Sequence, residues 1–130
     1  MKSLNKSATK TFQALVNQMV NDYAKISRSS SYMPVIIEKI SENAMGKLIS
    51  LSHYGVQNGD LMADPEVVMI LALDGFVYPT SIRQDYLGTF QDAVKYNEEG
   101  KIESYQPRLQ ADIASFANLW LRNIKNQQNL

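Results

Sequence analysis

The chain has 130 residues, with 13 Lys and Arg balanced by 13 Asp and Glu, one His and no Cys. That length suits one domain around one core, and the lack of Cys excludes a disulfide framework, a thiolate metal site and a thiol nucleophile. The zero net charge hides an acidic centre: residues 31–107 carry five basic and eleven acidic side chains, while residues 1–30 carry five and one and residues 108–130 three and one. Nucleic acid is therefore disfavoured as a partner, because phosphate contacts supply most non-specific affinity. No stretch approaches the roughly 20 apolar residues of a membrane span.

Ala8, Phe12, Leu15, Val16, Met19, Val20 and Tyr23 recur every three or four residues. This spacing predicts an amphipathic helix over about 7–26 and not a signal peptide, since no continuous apolar stretch follows the first lysines. The serine-rich run 27–31 reads as a loop. Strands are expected over about 34–41, 47–54, 66–73, 76–84, 89–96 and 101–105. Asp74–Gly75 suggests a two-residue type I′ hairpin. Pro79 calls for an edge strand or a bulge, because proline donates nothing to the ladder. Pro107 opens a helix over about 107–125 whose stripe is Leu109, Ile113, Phe116, Ala117, Trp120, Leu121 and Ile124. The expected fold class is α+β. An N-terminal helix precedes an antiparallel sheet of five to six strands in meander order, and a C-terminal helix packs on one sheet face, all within one domain spanning 1–130.

Polar chemistry gathers in one place, where HYGVQNGDLMADPE runs into the apolar strand that follows. The candidate functional residues are His53, Tyr54, Gln57, Asn58, Asp60, Asp64 and Glu66, with Arg83 and Asp85 brought near by the fold. His53 is the only histidine, which excludes a multi-histidine metal site. As a base it would need a carboxylate from Asp60, Asp64 or Glu66. Those acids, with the amides of Gln57 and Asn58, are hard oxygen donors of the kind Mg²⁺ or Ca²⁺ takes, but their spacing is not that of an EF-hand. Turn chemistry explains them equally: Asn58–Gly59 is a turn pair, and Asp64 precedes a proline. No P-loop, dinucleotide fingerprint or nucleophile elbow is present. No residue is assigned as catalytic or as a metal ligand, and no cofactor is called for.

The string HYGVQNGDLMADPEV, the RQDYLG run at 83–88 and the SFANLWLRNIK ending at 115–125 together resemble an uncharacterised family of small bacterial, plasmid and phage proteins. The resemblance covers the last three quarters of the chain. It implies a bacterial or mobile-element setting and a cytoplasmic location, and it brings no established activity.

Two functions follow from the residues. The first is a small non-enzymatic accessory protein that binds another macromolecule. Its expected partner is a protein, with no membrane role, and Leu119 with Leu121 on the last helix suggests a second contact, either with the first helix or with another copy of the chain as a homodimer. The alternative is an enzyme dependent on a small ligand or divalent metal, with its site at residues 57–66.

Overall fold

A computed structural model describes all 130 residues apart from the side chain of Gln57. Helix α1 (Lys6–Val16) is followed by strands β1 (Tyr23–Ile26), β2 (Val35–Asn43), β3 (Gly46–Gln57), β4 (Asp60–Ala72) and β5 (Val77–Gln84). A 3-10 turn at Asp85–Leu87 leads to β6 (Thr89–Asp92), β7 (Val94–Tyr96), β8 (Ile102–Tyr105) and helix α2 (Pro107–Gln127). Strands β1 to β6 form one antiparallel sheet in sequence order, and β7 and β8 pair separately. The fold is thus α+β, a six-stranded meander with a helix at each end of the chain. No helix among the described residues is long and apolar enough to cross a membrane.

The two helices cover one sheet face. Phe12 and Leu15 of α1 and Leu121 and Ile124 of α2 are buried with Ile37, Leu51, Val67 and Met69 from the strands. Three polar side chains tie chain segments to this layer. Asn5 caps α1 by accepting from the Ala8 N–H at 2.8 Å, as an N-cap residue does. Gln110 is buried; its Oε1 accepts from the Lys2 N–H at 2.7 Å, and its Nε2 donates to the carbonyls of Lys2 and Pro79 at 2.8 and 2.9 Å. Buried Gln128 accepts from the Arg28 N–H at 2.8 Å and donates to the Met33 carbonyl at 3.2 Å.

Several expected boundaries move. The helix expected over 7–26 stops at Val16, and Tyr23–Ile26 is an edge strand. The helix closes at Asn17 in a right-handed turn. Asn21 and Asp22, at φ of 55° and 64°, form the tight turn between the bridged residues Val20 and Tyr23, a left-handed conformation that Asn and Asp tolerate best. The stretch read as a polar loop at 57–66 is mostly strand. Only Asn58 and Gly59 turn, at φ of 53° and 85°, between the paired residues Gln57 and Asp60. These are the two positive values a type I′ hairpin needs. At the expected hairpin of Asp74–Gly75 the loop is longer. The Ala72 N–H donates to the Phe76 carbonyl at 2.9 Å, and only Gly75 is left-handed. Pro79 lies in an internal strand, at the bulge where Val68 pairs with Ser81 and Met69 with Pro79. The strand expected over 89–96 divides at Ala93 into β6 and β7.

Candidate site on the helix-free face

Strand alternation sends every second side chain away from the helices. The register lines these up in two rows across all six strands. One row reads Lys25, Ile36, Ser52, Glu66, Arg83 and Phe90; the next reads Tyr23, Glu38, Ser50, Val68, Ser81 and Asp92. Small hydroxyl residues stand at Ser50, Ser52 and Ser81, Glu66 and Val68 lie between them on β4, and Tyr23, Lys25 and Phe90 stand on the edge strands.

Four of the expected site residues meet here. Glu66 Oε2 accepts from Ser50 Oγ at 2.7 Å, and its Oε1 lies 4.0 Å from Arg83 Nη1. The Arg83 Nε is 3.9 Å from Asp85 Oδ1, and its guanidinium carbon sits 5.2 Å from the centre of the Phe90 ring. Asp85 Oδ2 accepts from the Ala63 N–H at 2.7 Å, which fixes the 3-10 turn against β4. From that turn the Tyr86 hydroxyl lies 2.5 Å from where a side chain at Gly55 would begin, so this position takes no Cβ without moving the tyrosine. Burial pushes the Tyr54 phenol up from its usual range. The carboxylates of Glu66 and Glu38 add to that shift, and the Arg83 charge opposes it. Ser52 itself is almost completely buried, and its Oγ has no hydrogen-bond partner among the described residues.

The other expected residues lie elsewhere. His53 points to the helix side, with its ring edge-on to Trp120 at 5.4 Å between centroids. Its Nδ1 is 3.0 Å from the Pro34 carbonyl. A carbonyl only accepts, so the ring donates from Nδ1. The sheet therefore separates His53 from Glu66. Asn58 and Asp60 are exposed at the β3–β4 turn. Asp64 and Pro65 form the bulge opposite His53, where Ser52 pairs with Glu66 and Tyr54 with Ala63. The Gln57 side chain lies outside the described residues. Among those described, no group of three or more His, Asp or Glu is arranged to hold a metal ion.

Beside the network is a hollow of about 400 Å³, lined by Tyr23, Lys25, Pro34, Ile36, Glu38, Tyr54 and Leu61. Val56 and Leu61, paired near the tip of the hairpin, extend the same face and are exposed.

Residues 6–130 match the model of a domain of unknown function, DUF6908. The chain belongs to the DUF6908 family. The matched segment contains both helices, all eight strands and every residue of the face just described. No curated protein and no solved structure matches the chain. Within this DUF6908 domain, sequence reasoning missed Tyr23, Lys25, Ile36, Glu38, Ser50, Ser52 and Phe90 as members of one surface. The alternation of Ser50 and Ser52 with Ile49, Leu51 and His53 was a signal for two unlike faces. Which residues of the other strands share those faces depends on register, and on reading Tyr23–Ile26 as a strand.

Proposed function

We propose that this chain is a small non-enzymatic accessory protein of a bacterium or mobile element, acting in the cytoplasm by binding another macromolecule through the helix-free sheet face. One observation carries the reading. Tyr23, Val56, Leu61 and Phe90 are all exposed on that face: Leu61 pairs with Val56 and lines one hollow with Tyr23, while Phe90 stands on the opposite edge strand. Clustered exposed apolar side chains favour association, whereas scattered ones need no explanation. The absence of Cys suits a reducing compartment. Leu119, half-exposed on α2, is the residue a homodimer through that helix would bury.

The test is association. The immobilised wild-type chain and the Leu61→Asp, Phe90→Ser double variant are each challenged with a bacterial lysate, and the wild type is sized by light scattering. A protein retained by the wild type and lost with the double variant supports the reading. Equal retention by both, or none by a strictly monomeric wild type, overturns it. A rise in melting temperature with one of a panel of divalent cations would replace it by the ligand-site reading at residues 57–66, since a ligand at a hundredfold its Kd adds about 2.7 kcal/mol.

A further inference from the structure

We infer that the hollow between Tyr23 and Tyr54 seats an arginine side chain presented by an extended basic segment of a partner protein. This rests on the binding role proposed above and gives that role its chemistry. Tyr23 comes from β1 and Tyr54 from β3, so the two rings stand on either side of β2, over a floor supplied by Ile36 and Pro34. A volume of about 400 Å³ accepts one long side chain. Guanidinium is the group that joins an apolar, stackable plane to a full positive charge.

Two charged side chains line the hollow, the Glu38 carboxylate that a guanidinium would pair with and the Lys25 ammonium that would oppose it. Glu38 is exposed, and among the described residues its carboxylate has no ion-pair partner. Its carboxylate and that of Glu66 both act on the Tyr54 phenol, with the Arg83 charge opposing them. A phosphate or carboxylate ligand would meet the repulsion of Glu38, and a neutral segment would leave Glu38 unpaired. Lys25 is the opposing charge. It is exposed on the edge strand, also without an ion-pair partner among the described residues, and free to turn its amine to solvent. Glu66 lies two strands beyond Ile36, about 10 Å at the usual strand spacing. An extended chain of about three residues spans that distance, so a second cation on the same segment would reach it.

The opposing charges at the rim make the test directional. Fluorescence anisotropy is measured with a labelled eight-residue peptide of alternating Arg and Ser, titrated with the full chain at low and high salt. Circular dichroism confirms that each surface variant is folded. Binding should weaken with salt, as exposed charge pairing does. Glu38→Gln should weaken it by up to about fivefold and Lys25→Gln should strengthen it by a similar factor. Tyr23→Ala should weaken it by about fivefold. Movement of the two charge variants in the same direction, or no movement in either, overturns the assignment, as does equal binding of a peptide with Glu in place of Arg. If the arginine peptide fails to bind while Leu61→Asp, Phe90→Ser still abolishes partner capture, this inference falls and the binding role stands.

Discussion

Leu51 and Ser52 are neighbours in β3, but their side chains stand on opposite sides of the sheet. Leu51 belongs to the row Ala24, Ile37, Leu51, Val67, Ile82 and Gln91, whose four central members are buried under the helices. Ser52 belongs to the adjoining row of Lys25, Ile36, Glu66, Arg83 and Phe90. Both residues are inaccessible to solvent, for different reasons. Leu51 is buried in the apolar cluster to which both helices contribute. Ser52 is a small residue among long ones and leaves its hydroxyl unpartnered. Burial alone therefore does not distinguish a side chain that holds the fold from one that shapes a surface.

Substitution separates the two. Leu51→Ala should cost about 3 kcal/mol, because it removes buried methyl groups and leaves a cavity in a packed layer. Ser52→Ala deletes a hydroxyl that makes no bond, so its effect should lie within about 1 kcal/mol of zero and tend to stabilise. Urea unfolding of the two variants measures both. A Ser52→Ala loss as large as that of Leu51→Ala would show that the two faces are not energetically distinct.

The polar ties of the helix side come next in size. Gln110→Leu keeps the volume but abandons the buried Pro79 carbonyl and both backbone groups of Lys2. An unsatisfied buried group costs about 1–3 kcal/mol. The Lys2 groups lie where the chain is exposed and water replaces the lost partner, so about 2 kcal/mol is expected from urea unfolding. By contrast, Arg83→Ala on the other face should change stability by less than about 1 kcal/mol. Its carboxylate contacts are 3.9 and 4.0 Å, and the side chain is about half exposed at 47%, a setting where ion pairs contribute little. The same variant should be more damaging to partner capture than to the melt.

This contrast also explains what the sequence made legible. A helix-facing row is written in apolar periodicity, so α2 and the central strands were readable from spacing alone. Ile113, Ala117, Trp120, Leu121 and Ile124 of the C-terminal stripe are buried, with Leu109 and Phe116 half-buried beside them. The N-terminal boundary was harder. Met19, Val20 and Tyr23 continue a helical spacing, yet Asn21 and Asp22 turn the chain and the last of the three lies in β1. Glu66, Arg83 and Asp85 were identified as polar residues near one another, and they do meet. His53 adjoined the same motif and lies across the sheet, because one residue of a strand reverses the face. The missed members, from Tyr23 to Phe90, come from four strands, β1, β2, β3 and β6, and only strand pairing joins them. No local pattern encodes that pairing.

The smallest expected effect concerns two phenols, Tyr54 on the helix-free face and Tyr96 in β7. Burial is the first cause that raises each above its ordinary value of 10.0. The carboxylates of Glu66 and Glu38 reinforce the shift at Tyr54, and that of Asp92 does so at Tyr96. In both cases the folded chain favours the neutral phenol. Below about pH 10 both states are protonated, and these groups add no pH dependence to stability. As the pH rises past 10, the unfolded chain releases its protons first, so stability falls until the folded phenols also ionise. Tyr96→Phe removes one contribution, and it also deletes a buried hydroxyl without a partner among the described residues. The variant should match or slightly exceed the wild type at pH 7, and the gap should widen in its favour between pH 9 and 11 when melting temperatures are compared. A constant gap across that range would mean that the Tyr96 phenol titrates alike in the folded and unfolded chain, and its burial would then carry no electrostatic cost.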